Sequence, residues 1–117
     1  MTTVTLYHNP RCSKSRQALQ LLQEKQIEPE IRLYLDNPPS RDEVVTLLAQ
    51  LGIEPRALLR KGEQEYKDNN LGDNNLSDDQ LIDAMVAHPR LIERPIAIVA
   101  DKAVIGRPPE KVLELVG

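Results

Sequence analysis

One residue of this 117-residue chain can act as a soft nucleophile: Cys12, its single cysteine. The reactive form of a thiol is the thiolate, and the residues around Cys12 favour it. Thr3-Val4-Thr5-Leu6-Tyr7 alternates and is rich in β-branched residues, which reads as a strand. His8-Asn9-Pro10-Arg11 reads as a turn, and a helix opens at Cys12 or Ser13. A thiol in that place faces free first-turn amides and the positive end of the helix dipole. Between His8 and Gln23 the fixed charges are Arg11, Lys14 and Arg16, with no acid, inside a chain of net charge −3. Ser13 and Ser15 can donate hydroxyl hydrogen bonds to a thiolate or a bound oxyanion. A free cysteine is often no more than a small buried side chain, but the placement and charge here outweigh that reading, so Cys12 is taken as a nucleophile. His8 has two open readings: it pairs with the thiolate or an oxyanion, or it only satisfies carbonyls of the turn beside Pro10. His88, ending a helix before Pro89, reads as a C-terminal cap.

The spacing Cys12-Ser13-Lys14-Ser15 is C-x-x-S, and with no second cysteine the chain cannot close an internal disulfide. An oxidised or modified Cys12 therefore needs an external thiol, for which glutathione or a glutaredoxin is the natural cytosolic supplier. A self-contained dithiol oxidoreductase is excluded. Three arginines stand in unusual settings: Arg60 after Ala57-Leu58-Leu59, Arg94 directly before Pro95, and Arg107 between Gly106 and Pro108-Pro109. Most arginines are solvated surface residues. These are expected to converge instead, because planar, permanently charged forks suit a tetrahedral oxyanion beside a thiolate. Other phosphate-binding patterns are missing. There is no G-x-x-x-x-G-K-S/T loop, the sixth residue after Cys12 is Ala18 rather than Arg, and no His/Asp/Glu cluster has metal-ligand spacing. No bound nucleotide, metal or other cofactor is expected.

The elements that must position these residues follow in order. The helix from Cys12 or Ser13 to about Gln26 gathers Ala18, Leu19, Leu21 and Leu22 on one face. Pro29 ends that unit, and Glu30-Ile31-Arg32-Leu33-Tyr34-Leu35 alternates as a second strand before the loop Asn37-Pro38-Pro39. Ser40 with Glu43 is a capping box opening a helix that carries Val44, Leu47, Leu48 and Leu51 and closes at Gly52. Residues 61–76 are strongly polar, a short helix plus loop in which Tyr66, Leu71 and Leu76 offer core contacts. Ser77 with Gln80 makes a second capping box, for a helix burying Leu81, Ile82, Met85 and Val86 and stopping before Pro89. Pro95-Ile96-Ala97-Ile98-Val99 reads as a buried strand, Asp101-Lys102 as a turn, and Ala103-Val104-Ile105 as the hairpin partner. After Gly106-Arg107-Pro108-Pro109 comes a short helix with Val112, Leu113 and Val116 inward. The result is one α/β domain over 1–117: β-α-β, a helical insertion over about 40–90, then β-β-α, with a mixed central sheet. That order is the thioredoxin-like arrangement. Likeness to such proteins implies that Pro95 is cis and faces the cysteine, something local sequence does not show.

Composition narrows the partners. The length suits one domain with one moderate core. Lys and Arg number 15 against 18 acids, so bulk charge does not recruit nucleic acid or an acidic membrane. With no Phe or Trp and three Tyr, stacking platforms for single-stranded nucleic acid are scarce. No apolar run approaches a membrane span, and Met1-Thr2-Thr3-Val4 lacks the character of a secretion signal. A cytoplasmic, monomeric protein is expected.

Several segments match a known pattern: H-N-P-R-C-S-K-S-R at 8–16, R-A-L-L-R-K at 56–61, D-D-Q-L-I-D-A-M at 78–85, R-P-I at 94–96 and R-P-P-E-K-V-L-E-L at 107–115. Together they resemble the glutaredoxin-coupled arsenate reductase family, ArsC, and most nearly its short YfgD-type branch. The resemblance implies a thioredoxin-like fold with a helical insertion. It also implies attack of Cys12 on arsenate, addition of glutathione, reduction to arsenite, and resolution by glutaredoxin. On matching positions it makes Cys12 the nucleophile, His8 and Ser15 its assistants, and Arg60, Arg94 and Arg107 the arsenate ligands. The chain departs from some members in ending at Gly117, in having Gly106 where they have Cys, and in carrying Arg11 and Lys14. Two other functions share the fold: a Spx-like redox regulator that binds RNA polymerase, and a glutathione-dependent monothiol oxidoreductase. The first commonly uses C-x-x-C, which Ser15 removes. The second carries an aromatic residue or Gly near its Cys, unlike Ser13-Lys14.

Overall fold

The computed structural model describes residues 3–116; Met1, Thr2 and Gly117, on which the readings of the two ends partly rest, lie outside the described residues. The chain divides into two compact units, one formed by residues 1–37 with 94–117 and the other by Pro38–Glu93.

The first unit holds a four-stranded sheet, β1 (Val4–Tyr7), β2 (Glu30–Arg32), β3 (Ile96–Val99) and β4 (Lys102–Ile105), in the order β2-β1-β3-β4. β1 runs parallel to β2 and antiparallel to β3, with Leu6 opposite Ile31 and Ala97, and β3 and β4 form a hairpin. The sheet is therefore mixed. Helix α1 (Ser13–Glu24) joins β1 to β2, and a 3-10 segment (Pro109–Leu115) follows β4. Val4 and Leu6 of β1, Ala18 and Leu22 of α1, Ala97 of β3 and Val112 form the core of this unit. With both halves joined through one sheet, the fold is thioredoxin-like.

The strands β1, β3 and β4 shift by one residue at their starts, and three larger differences from the sequence expectations stand out. Helix α1 stops at Glu24 rather than Gln26, because Gln26 takes a left-handed φ of 63°. The amides of Gln26 and Ile27 then turn back onto the carbonyls of Gln23 and Leu22, at 2.9 Å each, a closure that satisfies two end carbonyls and brings Ile27 to the core. β2 ends at Arg32 rather than Leu35. The Leu33 carbonyl accepts from the Asp36 and Asn37 amides at 3.0 and 2.9 Å, so the chain turns away and leaves Leu33 and Leu35 exposed. Only Tyr34 goes inward, stacked on Tyr7 with ring centroids 6.1 Å apart. The C-terminal helix is 3-10 rather than α: its bonds join Lys111 N to Pro108 O and Val116 N to Leu113 O. Both bonds span three residues, the 3-10 spacing.

The second unit contains α2 (Arg41–Leu51), α3 (Pro55–Leu58), α4 (Gln64–Asp68), α5 (Asp78–Ala87) and a 3-10 turn (Pro89–Leu91). Both capping boxes form. The Ser40 hydroxyl accepts from Glu43 N at 3.2 Å while Glu43 Oε1 accepts from Ser40 N, and Ser77 and Gln80 repeat the pattern. Gly52 closes α2 at a φ of 68°, a backbone that glycine adopts at no steric cost. Val44, Leu47, Leu58, Leu81, Met85 and Leu91 are buried, whereas Val86 is only partly so. The α3 turn was not anticipated; Pro55 at its first position makes it. Among the described residues, no helix is long and apolar enough to cross a membrane.

Candidate active site

The segment between β1 and α1 is organised by Asn9. Its carbonyl accepts from Cys12 N at 3.0 Å, its side-chain Oδ1 accepts from Arg11 N at 3.0 Å, and its own N–H donates to Ser15 Oγ at 3.0 Å. Such an Asx turn reverses the chain within three residues. Arg16 adds a strap, donating from Nη1 to the Pro10 carbonyl at 2.9 Å. Cys12 is thereby fixed at the N-cap of α1, 9% exposed, with its sulfur making no capping bond. The first-turn amides that follow it have no acceptor inside the helix.

His8 extends β1 by one hydrogen bond, its N–H donating to the Arg32 carbonyl at 2.9 Å. The imidazole is buried, and Nδ1 lies 2.7 Å from Oγ of the fully buried Ser15. Ser15 Oγ already accepts from Asn9 N–H. The same oxygen thus holds both the Asn9 amide and the His8 ring, tying the turn to the end of β1. Burial first, and the nearby Arg16 charge second, hold the His8 pKa below its ordinary value. A lowered pKa favours the neutral ring. The partner of His8 is thus Ser15, rather than the turn carbonyls that one reading of the sequence gave it.

Arg107 reaches the same place from the end of β4. Its Nε donates to the Arg94 carbonyl at 2.8 Å, and its Nη2 lies 3.8 Å from Cys12 Sγ. The Arg94–Pro95 bond is cis, as likeness to thioredoxin-like proteins implied, and so is Arg107–Pro108, for which the sequence carried no sign. Arg94 itself is half-buried and contributes its carbonyl to the Arg107 clamp. Arg60 belongs to the helical unit, where Glu63 Oε2 and Glu93 Oε1 pair with it at 3.0 and 3.3 Å. Ser13, Arg11 and Lys14 are exposed beside Cys12, and His88 caps α5 through its backbone. Among the described residues, no group of three or more His, Cys, Asp or Glu is placed to hold a metal ion.

The sheet unit thus brings together Cys12, His8, Ser15 and Arg107. Sequence reasoning missed Asn9 as the organiser of the turn, although Asn before Pro in a short strand-to-helix connection is the signal for one. The arrangement offers a soft nucleophile at a helix N-terminus, a guanidinium beside it, and a buried Ser–His pair within the same turn.

Comparison with known proteins places the chain in a family. The ArsC family model matches residues 7–115. The uncharacterized protein YfgD of Escherichia coli K12 is 53% identical over 115 residues, covering 97% of each chain. A protein of Haemophilus influenzae named arsenate reductase is 48% identical over 114 residues, 97% of this chain and 98% of that one. The solved structure of arsenate reductase from Vibrio cholerae superposes with a TM-score of 0.94 at 52% identity, over 97% of each chain.

Proposed function

The chain belongs to the ArsC family, and from that premise we propose that it reduces arsenate to arsenite through an adduct on Cys12, with glutathione and glutaredoxin as the thiol donors. The observation that carries this reading is the 3.8 Å approach of Arg107 Nη2 to Cys12 Sγ, a permanent cation facing a nucleophilic sulfur.

In the first step Cys12 Sγ attacks arsenic and one arsenate oxygen leaves as water, giving a sulfur–As(V) bond. Glutathione thiol displaces a second oxygen as water. The glutaredoxin thiol then attacks the arsenic-bound glutathione sulfur. A disulfide forms between them, and the electron pair of the broken sulfur–arsenic bond stays on arsenic, which becomes As(III). Water cleaves the remaining bond to Cys12, releasing arsenite and the free thiol.

The protein's contribution is electrostatic and positional. Arg107, and Arg94 across the same clamp, balance the oxyanion charge, as do the first-turn amides of α1. Arg60 is left out of this assignment because Glu63 and Glu93 of its own unit match its charge. The Ser15–His8 pair fixes the turn that holds Cys12. Omitting each thiol in turn tests the sequence of events: turnover is expected to require both glutathione and glutaredoxin. Undiminished arsenite formation without glutaredoxin would sink the proposed resolution step.

A further inference from the structure

Two cations beside Cys12 have no part in the site described above. Arg11 precedes the cysteine by one residue, and Lys14 follows it by two, in the first turn of α1. Both residues are exposed. The Arg11 backbone N–H donates to Asn9 Oδ1, but neither cationic head has a hydrogen bond or ion pair among the described residues. Cations elsewhere are matched: Arg41 lies against Asp79 and Asp83, and Arg60 against Glu63 and Glu93. Arg16 and Arg107 are tied to the carbonyls of Pro10 and Arg94. No acid stands between His8 and Gln23 to neutralise Arg11 and Lys14. A chain of net charge −3 thus turns a positive rim to solvent beside its thiol.

A small oxyanion at the sulfur does not need this rim, since Arg107 and the first-turn amides already face it. The rim suits a second, longer anion whose charge lies several bonds from its reacting atom. A thiol with terminal carboxylates has that form. Its sulfur meets Cys12 while its carboxylates stay near the two cations, within the ~8 Å over which charges act at physiological ionic strength. We propose that Arg11 and Lys14 select the incoming thiol by its carboxylates, so that the site prefers an anionic thiol of the glutathione kind over a neutral or cationic one. Neither cation bonds the sulfur, so the effect is on preference between thiols and not on the capacity for exchange. The place of that thiol in arsenate reduction rests on the activity proposed above; the preference itself does not.

The experiment loads Cys12 of the full chain with dipyridyl disulfide, which leaves a neutral pyridyl group on the sulfur. The incoming thiolate attacks Cys12 Sγ and a new disulfide forms. The pyridyl sulfur leaves with the electron pair of the broken bond, takes up a proton, and is followed by the absorbance of the thione. Rates are measured with glutathione and with its diethyl ester, the same thiol with both carboxylates masked. Their ratio cancels the intrinsic reactivity of the loaded cysteine. Arg11→Ala/Lys14→Ala is expected to lower the glutathione-to-ester ratio about fivefold, the scale of two exposed charge pairs, with native circular dichroism. Lys25→Ala/Arg90→Ala removes the same net charge from exposed residues elsewhere, Lys25 standing at the far end of the 12-residue α1. That control is expected to keep the wild-type ratio. A wild-type ratio in Arg11→Ala/Lys14→Ala overturns the proposal, and so does an equal drop in the control. Arsenate enters none of these reactions, so a failure of arsenate turnover leaves every ratio unaffected.

Discussion

Arg107 Nη2 and Cys12 Sγ lie 3.8 Å apart across 95 positions of sequence. The guanidinium cannot drift to this place on a free side chain, because its Nε is bonded to the Arg94 carbonyl. Two loops from opposite ends of the chain therefore fix one cation against one thiol. A fork held by a backbone acceptor on one side keeps its other N–H groups aimed, so little reorganisation is needed when negative charge develops there.

Replacing Arg107 by Ala is expected to lower kcat/KM for arsenate reduction by about 10²- to 10³-fold, the cost of removing one preorganised donor to an oxyanion. Arg107→Lys restores only part of it, since a single ammonium cannot bond the Arg94 carbonyl and face the sulfur together. Arg90→Ala, on an exposed side chain of the helical unit, serves as the control and stays near wild type. Steady-state kinetics on the three variants check this, and equal losses at positions 90 and 107 would remove the anion site.

Ser15→Ala takes away the acceptor of the Asn9 amide and the hydrogen-bond partner of His8 Nδ1 at once. Leaving buried polar groups without partners is expected to cost about 1–3 kcal/mol of stability. Urea denaturation measures it. Turnover falls too, because the turn that holds Cys12 loosens.

The lowered pKa of His8 sets a direction for pH. In the unfolded chain His8 takes up a proton near its ordinary value of 6.5, whereas the buried, Ser15-bonded ring resists it. The unfolded state binds more protons below that value, so stability is present above it and is lost as the pH falls from about 6.5 toward the folded pKa. Melting temperatures between pH 7.5 and 5.5 are expected to decline in wild type and to decline less in His8→Asn. Parallel curves for the two proteins would contradict the assignment.

Ser40→Ala and Ser77→Ala each break a capping box in the helical unit. Each is expected to cost about 1 kcal/mol in chemical denaturation while arsenate turnover at 25 °C stays at the wild-type level. A turnover loss in a fully folded cap variant would mean that helix ends in this unit shape the reaction.

Much of this architecture is legible in local sequence, because the signals are local. The capping boxes at Ser40 and Ser77 and the hairpin around Asp101 need only their own neighbours. β2 misleads because alternation persists through Leu35, while the bonds from Asp36 and Asn37 to the Leu33 carbonyl end the strand. Helix α1 stops early because Gln26, not a glycine, takes the left-handed position. At the site, the charge around Cys12 is readable along the chain. The pairing of His8 with Ser15 joins positions seven apart, and sequence left the histidine between two roles. That Arg107 comes within reach of Cys12 from the other end of the chain depends on the sheet order, which no local pattern encodes.

The central claim is that Cys12 carries the reaction. Arsenite formation from arsenate, with glutathione and glutaredoxin supplied, tests it most directly in wild type and Cys12→Ser, with circular dichroism on both to confirm the fold. The expected result is turnover by wild type and none by a natively folded Cys12→Ser, since the hydroxyl that replaces the thiol is no nucleophile near neutral pH. Arsenite release from the folded variant at a rate comparable to wild type would contradict the account.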